Sequence, residues 1–456
     1  MSVNGVPKPG HAQEAVNAGL EGLNRHQDSL NSVAARFDEQ ARADAQHRDQ
    51  LASCGSTLGP LHGLPFVVKD IIDVAGVPTK SGSLTQADNT PALKDAPAVA
   101  GLRAVGAIPI AKANTVEFAI GSWGTNETVG TPVNPWSMDV PHVPGGSSSG
   151  TGVLVGSGLA SAGLGTDTGG SVRIPAAVCG CVGHKSSIGL VSRTGVTPLS
   201  ETLDTVGPLT SNVELAAHML AAMQGADPSD PTTVGRSFPC PIRQLDRGIQ
   251  GVRLARLELS EMPFLTDEVA AAFELAVNRL REAGATISQA KLPLDYKAYQ
   301  RLCGQVSSSE SYATYADLVE DPESKLGEPN RNRFRYGKSI TAADLVRIRR
   351  ARETSIRDFE AVIDNIEAII LPTIPMAAIP ISDADESIMP LSILTRFVNY
   401  LELAALSVPI NLTAKGLPTA LQIVVRHFDD PLALRIGKAF EEARGQFPQP
   451  NLEHVS

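Results

Sequence analysis

The chain has 456 residues, enough for one large α/β domain or for two or three average domains. Its hydrophobic content of 42% and charged content of 19% are those of an ordinary globular protein with a sizeable core. The net charge of −10 argues against a general nucleic-acid surface, because phosphate binding requires clustered lysine and arginine. We therefore expect no general nucleic-acid surface, while the argument from net charge is weak for a local contact with RNA.

The cysteines and the N-terminus indicate which cellular compartment and which bound groups to expect. There are five cysteines, an odd number, and the Cys179-Gly-Cys181 pair lacks the spacing of a zinc site. The N-terminus has no basic start followed by an apolar core, and no apolar run reaches about 18 residues. We expect a cytoplasmic protein without membrane contact, bound metal or cofactor, and we leave a homodimer open.

The N-terminal part of the chain alternates helical and strand-like segments. Residues 31–50 have a helix-forming composition, with Val33 and Phe37 four positions apart. Pro65–Lys69 is a short apolar run that predicts a buried strand ending at a lysine. A helix is predicted over 96–107 and a strand over 108–111. This alternation favours a largely buried parallel or mixed sheet.

Later segments continue the α/β pattern. Residues 211–224 predict a helix with Asn212 as its N-cap. The other predicted elements are a strand at 252–257, a helix at 266–283, mainly helical structure over 295–365, a strand at 366–371, a helix at 391–406, a strand at 419–425 and a helix at 430–444. We expect an N-terminal helical segment over 1–55 and one large domain over 56–445. That domain would carry a variable helical insertion at about 225–365, and a tail over 446–456 would follow it.

The most unusual segment is 144–175, where glycine, serine and threonine surround a single acid and a single base. A flexible linker would not contain the apolar residues at 153–155 and 159–164. Small residues inside buried segments indicate backbone packed closely against other backbone or a ligand. We interpret this segment as a wall of an active site.

Cleavage of an amide needs a nucleophile, a proton shuttle and donors for the oxyanion. Three histidines lie near this segment, namely His62, His142 and His184. None of them belongs to a G-x-S-x-G nucleophile elbow that is followed in order by an acid and a histidine. Lys69 is the alternative base, because burial among apolar neighbours disfavours the ammonium and lowers the pKa of an amine. A shift from about 10.4 to about 7 would amount to roughly 4–5 kcal/mol. The residues alone leave open whether Lys69 is a neutral base or an ion-pair partner of Asp70 or Asp73.

Two motifs, PGGSSSG and GTDTGGSVRIPA, resemble the signature of the amidase signature family of serine hydrolases, which use a Ser–cis-Ser–Lys triad. The second motif contains Ser171 at the position of the family's nucleophile. Ser147 lies 24 residues earlier, at the family's cis-peptide serine, and Lys69 lies a further 78 residues earlier. The resemblance covers about 60–440 and includes VGTPVNPW, DTVGPL, ILPTIP and LPTALQIV. It implies a mixed central sheet flanked by helices.

The resemblance also implies a mechanism. Ser171 would attack the carbonyl carbon and form an acyl-enzyme, while Ser147, in a cis peptide bond after Gly146, would relay the proton to Lys69. The oxyanion would be held by four backbone N–H groups, those of Thr168, Gly169, Gly170 and Ser171. Asp167 is expected to be a structural acid, with Arg173 as a candidate partner.

Substrate contacts are less constrained. The candidates are Phe118, Ala119, Trp123 and Ser148, which lie just before or within the signature. We expect an amidase that hydrolyses a small or medium carboxamide or anilide to an acid and an amine or ammonia. The alternative is the glutamine-hydrolysing A subunit of an aminoacyl-tRNA amidotransferase. A catalytically silent scaffold is disfavoured, because all three triad positions are intact.

Overall fold

The computed structural model describes residues 4–137 and 139–452. Within these ranges, an eleven-stranded mixed sheet carries twelve α-helices. The helices are α1 Ala12–Leu30, α2 Asp38–Ser53, α3 Pro97–Ala104, α4 Ser149–Gly156, α5 Arg173–Cys179, α6 Val213–Met223, α7 Asp267–Glu282, α8 Tyr296–Glu320, α9 Glu328–Tyr336, α10 Ala342–Val362, α11 Arg396–Tyr400 and α12 Asp430–Arg444. The strands are β1 Val33–Arg36, β2 Pro65–Lys69, β3 Ile108–Ala113, β4 Ala162–Asp167, β5 Val182–Lys185, β6 Thr205–Thr210, β7 Arg253–Leu257, β8 Thr286–Ala290, β9 Ala368–Pro372, β10 Ala404–Leu412 and β11 Pro418–Val425.

The sheet has the strand order β1-β3-β2-β4-β6-β5-β10-β11-β9-β7-β8. Strand β2 lies between β3 and β4, and it runs parallel to both. Strand β6 pairs antiparallel with the other edge of β4. Helices cover this part of the sheet, so that every residue of β3, β4 and β6 is buried. This confirms the expected α/β class with a mixed central sheet in a single large domain.

The glycine- and serine-rich segment forms α4 and β4, which pack directly on each other. All eight residues of α4 are buried. A Cβ atom on Gly163 of β4 would lie 2.5 Å from Cγ2 of Thr151 in α4. The small residues therefore let a helix approach the sheet at backbone distance, as expected for a wall of buried backbone.

Several predicted elements are confirmed at or near their expected bounds. Strand β2 and helix α12 have the predicted limits. Asn212 caps α6, because its side chain accepts a hydrogen bond from the backbone N–H of Leu215 at 2.9 Å. The strands β7, β9 and β11 also lie where the sequence predicts them.

Two predicted helices are wrong in part. Within 31–50, β1 pairs antiparallel with β3, and the helix α2 begins only at Asp38. Within 391–406, α11 ends at Tyr400, Glu402 adopts a φ of +62°, and β10 begins at Ala404. Most of this second stretch is buried, so its apolar residues do not show the one-sided periodicity that separates a helix from a strand.

The domain bounds stay a prediction, but the structure refines their content. Strand β1 belongs to the main sheet, so the segment 1–55 is not purely helical. Within 225–365, β7 and β8 form one edge of the sheet, whereas α8, α9 and α10 make 296–362 mainly helical. The end of the predicted tail, 453–456, lies outside the described residues. Across the ranges 4–137 and 139–452, we find no helix whose length and apolar character would allow it to cross a membrane.

Candidate active site

Lys69 is the last residue of β2, and its amine lies in the interior between β2 and β4. The side chain is fully buried. Its Nζ donates to Ser147 Oγ at 2.8 Å and to Thr166 Oγ1 at 2.9 Å. Because β2 and β4 are parallel neighbours, the end of β4 brings Thr166 beside the end of β2. The strand pairing thus places Thr166 beside the lysine, and the segment before α4 supplies the second hydroxyl, Ser147.

The alternative role of Lys69, an ion pair with a neighbouring acid, does not occur. Asp70 instead pairs with Lys112 at 3.0 Å, and both side chains are almost fully buried. Asp73 accepts a hydrogen bond from Thr79 at 2.6 Å. Among the described residues, no carboxylate lies within ion-pair distance of Lys69.

Because Lys69 is buried without a direct counter-ion, its pKa is lowered enough for the neutral amine to be present near pH 7. Loss of hydration disfavours the ammonium and lowers the pKa of Lys69 to about 7, although the more distant charges of Asp204 and Asp167 oppose the shift. At neutral pH a large fraction of the amine is therefore uncharged. An uncharged amine can accept a proton from the hydroxyl that it contacts.

If this site cleaves amides, as the resemblance implies, the rate should depend on this titration. The ammonium form of Lys69 cannot accept a proton, so kcat/KM should rise with pH and level off above an apparent pKa near 7. Below that pKa the rate should fall about tenfold per pH unit. A pH–rate profile from about pH 5 to about pH 9 checks this, and a flat profile would contradict a neutral-amine base.

The backbone carbonyl of Ser147 is fixed by hydrogen bonds from the segment that follows β3. Its peptide bond with Gly146 is cis, as the resemblance implies. The carbonyl of Ser147 accepts hydrogen bonds from Thr115 Oγ1 at 2.8 Å and from the backbone N–H of Val116 at 3.1 Å. With its carbonyl fixed in this way, the hydroxyl of Ser147 points to Lys69.

Ser171 lies in the tight connection between β4 and α5. The backbone N–H of Ser148 donates to the carbonyl of Ser171 at 3.2 Å, which joins the two signature motifs side by side. Ser171 is 9% exposed and lines a small cavity. Within the part of the chain that the structure describes, its Oγ has no hydrogen-bond partner, so the hydroxyl is free to meet a ligand in that cavity.

The predicted oxyanion donors require one correction. The backbone N–H of Gly170 donates to Asp167 Oδ1 at 2.8 Å, so this group is already engaged. The backbone N–H groups of Thr168, Gly169 and Ser171 have no acceptor among residues 4–137 and 139–452. These three remain as candidate donors to an oxyanion. Gly170 itself has a φ of +130°, and a Cβ atom there would collide with the side chain of Thr395.

Asp167 and Arg173 form the buried ion pair that fixes this loop, as the sequence suggested. The guanidinium donates from Nη2 to Oδ1 at 2.9 Å and from Nε to Oδ2 at 3.0 Å, and both side chains are fully buried. Asn399 and the backbone N–H of Val172 also donate to the same carboxylate. Burial alone would raise the pKa of Asp167, but the charge and hydrogen bonds of Arg173 outweigh it and hold that pKa well below its usual range. Asp167 is therefore a permanent anion with a structural role.

We expect Asp167→Asn to destabilise the protein strongly, because it leaves Arg173 buried without a counter-charge. Breaking a buried pair in this way costs about 3–5 kcal/mol. Urea unfolding of the variant and the parent measures the loss. The matched control is Glu367→Gln, which breaks the exposed Arg253–Glu367 pair and should cost less than about 1 kcal/mol. Equal losses in the two variants would contradict a structural role for Asp167.

Two cavities that share lining residues lie between Ser171 and the surface. The inner cavity has a volume of about 40 Å³ and the outer cavity about 860 Å³. Four residues line both cavities and mark their junction, namely Ile120, Ser307, Met389 and Arg396. The inner cavity is also lined by Thr168, Gly169 and Ser171, so the nucleophile candidate and the free amides face the same space.

Of the four predicted substrate contacts, the structure brings only Ala119 to the inner cavity. Phe118 packs against Tyr315, with their ring centroids 4.9 Å apart. The indole Nε1 of Trp123 donates to the carbonyl of Asp385 at 2.9 Å. Ser148 Oγ donates to the carbonyl of Thr166 at 3.4 Å. Phe118, Trp123 and Ser148 line neither cavity, and their role as substrate contacts stays a prediction.

Sequence reasoning missed several residues of the site. Thr166 lies one position before Asp167 in the signature, and its contact with Lys69 could have been inferred from the parallel pairing of β2 and β4. Cys303, Ser307, Met389 and Arg396 come from the α8 region and from the segment leading into α11. No local motif marks these four, because only the tertiary fold brings α8 and α11 to the nucleophile.

The fold and the site define an α/β enzyme with hydroxyl groups and a buried amine at the base of a cavity. A family model described as Amidase matches residues 14–434, and the chain belongs to the amidase signature family. It is accordingly an enzyme of the class that acts on C–N bonds.

Relatives of known name cover nearly the whole chain. The A subunit of the glutamyl-tRNA(Gln) amidotransferase from Trichlorobacter lovleyi is 33% identical, over 94% of this chain and 93% of that protein. An inhibitor-bound complex solved in work on the origins of an s-triazine catabolic enzyme superposes with a TM-score of 0.89 at 28% identity, covering 94% of this chain and 95% of that one. The native peptide amidase from Stenotrophomonas maltophilia gives a TM-score of 0.84 at 28% identity, over 97% and 95% of the two chains.

Proposed function

We propose that this protein is an amidase that hydrolyses the C–N bond of a small or medium carboxamide through an acyl-enzyme on Ser171. The observation that carries the proposal is the buried amine of Lys69, which contacts Ser147 Oγ at 2.8 Å and has no acidic partner among the described residues. A lysine buried without an acidic partner costs stability, and groups with such perturbed pKa values cluster at functional sites. Its place beside two serine-containing motifs supports the role of general base.

In the proposed acylation step, protons move along the three side chains. The hydroxyl of Ser171, which has no partner among the described residues, must first turn toward Ser147 Oγ. Neutral Lys69 then accepts the proton of Ser147 Oγ while Ser147 accepts the proton of Ser171 Oγ. The oxygen of Ser171 then bonds to the carbonyl carbon of the substrate. The negative charge that develops on the carbonyl oxygen is stabilised by the free N–H groups of Thr168, Gly169 and Ser171.

The leaving group and the second half-reaction use the same path in reverse. The C–N bond breaks as the lysine proton returns through Ser147 to the departing nitrogen, which leaves as an amine or ammonia. Water then loses a proton to the same base and attacks the ester carbon, which releases the acid and restores Ser171. Each step balances without a metal or cofactor.

The second candidate is the glutamine-hydrolysing A subunit of an aminoacyl-tRNA amidotransferase, which would act together with other chains of that enzyme. The 33% identity to a protein of that name over 94% of the chain favours it. The inner cavity supports the first candidate, because the α-ammonium group of glutamine needs an acid and the acids Glu127, Glu328 and Glu386 line only the outer cavity. Arg396 is the only charged residue of the fourteen that line the inner cavity in the described structure.

Incubation of the purified chain alone with a panel of amides distinguishes the two candidates. The panel contains L-glutamine, short aliphatic amides and anilides, with release of ammonia or amine as the readout. We expect hydrolysis of at least one simple amide and little release of ammonia from glutamine. Release from glutamine alone would favour the second candidate. Turnover that persists in the Ser171→Ala variant would contradict both.

A further inference from the structure

The inner cavity contains a cation, Arg396, that no acid of the described residues neutralises. Arg396 lies at the junction of the two cavities. Its Nη1 donates to the carbonyl of Gln300 at 3.0 Å and its Nη2 to Met389 Sδ at 3.1 Å. Within the described ranges, Arg396 forms no ion pair with a carboxylate. A partly buried guanidinium of this kind usually has an anionic partner.

The surroundings of Arg396 leave room for that partner on the cavity side. Burial lowers the pKa of Arg396, and the charge of Arg333 acts in the same direction. Glu386, a carboxylate that lines the outer cavity, already pairs with Arg333 at 2.6 Å. The Nε of Arg396 has no acceptor among the described residues, so at least one N–H remains for a ligand.

Arg396 is close to the atoms proposed to react. A Cβ atom built on Gly169 would lie 3.2 Å from Cγ and 3.5 Å from Nε of Arg396, which puts the guanidinium stem against the oxyanion loop. The inner cavity of about 40 Å³ holds the volume of only a few water molecules. An anionic group that reaches Arg396 from within the inner cavity is therefore separated from the scissile carbonyl by only a few bonds.

A second polar group in the same cavity lacks a partner. Ser122 lines the inner cavity, is 4% exposed, and its Oγ makes no hydrogen bond within the described structure. A buried hydroxyl left unsatisfied costs about 1–3 kcal/mol, so such groups are normally satisfied by a ligand or by water. Ser122 and Arg396 thus both offer unused donors to one small space.

Taking the proposed function as its basis, we propose that the substrate is an amide that bears a carboxylate within a few bonds of the scissile carbonyl, and that Arg396 binds this carboxylate. Monoamides of short dicarboxylic acids fit the description. Arg396 would select such substrates by a charge-assisted hydrogen bond, and neutral amides of the same length would leave it unpaired. Glutamine carries such a carboxylate, but its α-ammonium would lie near the same cation, with no acid among the residues that line the inner cavity.

The test measures how small dicarboxylates protect Ser171 from a fluorophosphonate probe, which reacts with activated serines. The competitors are malonate, succinate and glutarate, each compared with its neutral diamide. We expect at least one dicarboxylate to slow labelling at a concentration about 10- to 100-fold lower than its diamide, the range for hydrogen bonds to charged groups. Malonamate, succinamate and glutaramate should likewise release ammonia with a kcat/KM at least about tenfold higher than the same amides whose carboxylate is converted to a methyl ester.

Variants of Arg396 assign the preference to that side chain. Arg396→Met and Arg396→Gln should lose the preference for dicarboxylates, whereas Arg396→Lys should keep part of it, because an ammonium retains the charge but not the planar fork. The matched control is Arg350→Met, which removes an equal charge from an exposed site on α10 outside both cavities. It should keep the preference of the parent protein. Circular dichroism identifies any variant that fails to fold. If Arg396→Met or Arg396→Gln does not fold, the preference is measured on the other variant.

The outcomes separate this inference from the proposed function. Failure of the probe to label Ser171 in the parent protein would contradict the proposed function itself. Labelling without any preference for dicarboxylates over diamides would overturn only the role of Arg396. A preference that persists in Arg396→Met and Arg396→Gln would overturn it as well.

Discussion

Replacement of Ser171 by Ala is expected to lower kcat/KM by about 10⁴- to 10⁶-fold, because no acyl-enzyme can then form. The residual rate would come from the cavity and the free N–H groups, which still bind the substrate and stabilise charge. The side chain of Ser171 makes no hydrogen bond to the described residues, so the variant should fold normally. Steady-state kinetics on any amide that the parent protein hydrolyses measures the effect.

The control for this substitution is Ser149→Ala, at another buried serine of the signature. Ser149 is fully buried and its Oγ has no partner among the described residues, but it does not line either cavity. We expect its kcat/KM to stay within about threefold of the parent value. A rate in Ser171→Ala similar to that in Ser149→Ala would remove Ser171 as the nucleophile.

Replacement of Lys69 by Met should lower kcat/KM by about 10²- to 10⁴-fold, the usual contribution of a general base. Methionine removes the cost of a buried amine but leaves the hydroxyls of Ser147 and Thr166 without their partner, so the free energy of unfolding should change by no more than about 1–3 kcal/mol. The rising limb of the pH–rate profile should also disappear. Ser147→Ala should give a milder loss, since it interrupts the relay but leaves both the base and the nucleophile.

Lys185 provides a matched control for Lys69. It too is fully buried, and burial lowers its pKa to about 8 in spite of the nearby Asp167. Its Nζ donates to the carbonyls of Leu403 at 2.8 Å and Ser186 at 3.0 Å and contacts neither serine of the proposed triad. Lys185→Met should retain the pH dependence of the parent protein. If the two lysine variants behaved alike, a specific role for Lys69 would be contradicted.

The elements with a strong local pattern could be predicted from the sequence. The apolar run of β2 ends at Lys69 as expected, and the Asn212 cap of α6 follows from a side chain that can accept a backbone hydrogen bond. The close packing of α4 on β4 follows from the glycines of the 144–175 segment. In each of these cases a nearby residue type determines the local structure.

What the sequence could not predict depends on contacts between distant segments. Lys69 has no ion pair with Asp70, because Asp70 forms an ion pair with Lys112 of the neighbouring strand β3. The sequence alone did not show this pairing. The backbone N–H of Gly170 donates a hydrogen bond to the carboxylate of Asp167, which lies three residues earlier in the same loop. Arg396 lies in a stretch predicted as one long helix, where α11 instead ends at Tyr400, so nothing local marked it as a residue facing Ser171.

The central claim, that neutral Lys69 activates Ser171 through Ser147, is tested most directly by the rate at which a fluorophosphonate probe labels Ser171 at different pH values. Peptide mass spectrometry locates the label, and no natural substrate is needed. We expect labelling on Ser171 whose rate rises with an apparent pKa near 7, and slow labelling without this dependence in Lys69→Met. Labelling at another residue, or the same rate and pH dependence in Lys69→Met as in the parent protein, would contradict the claim.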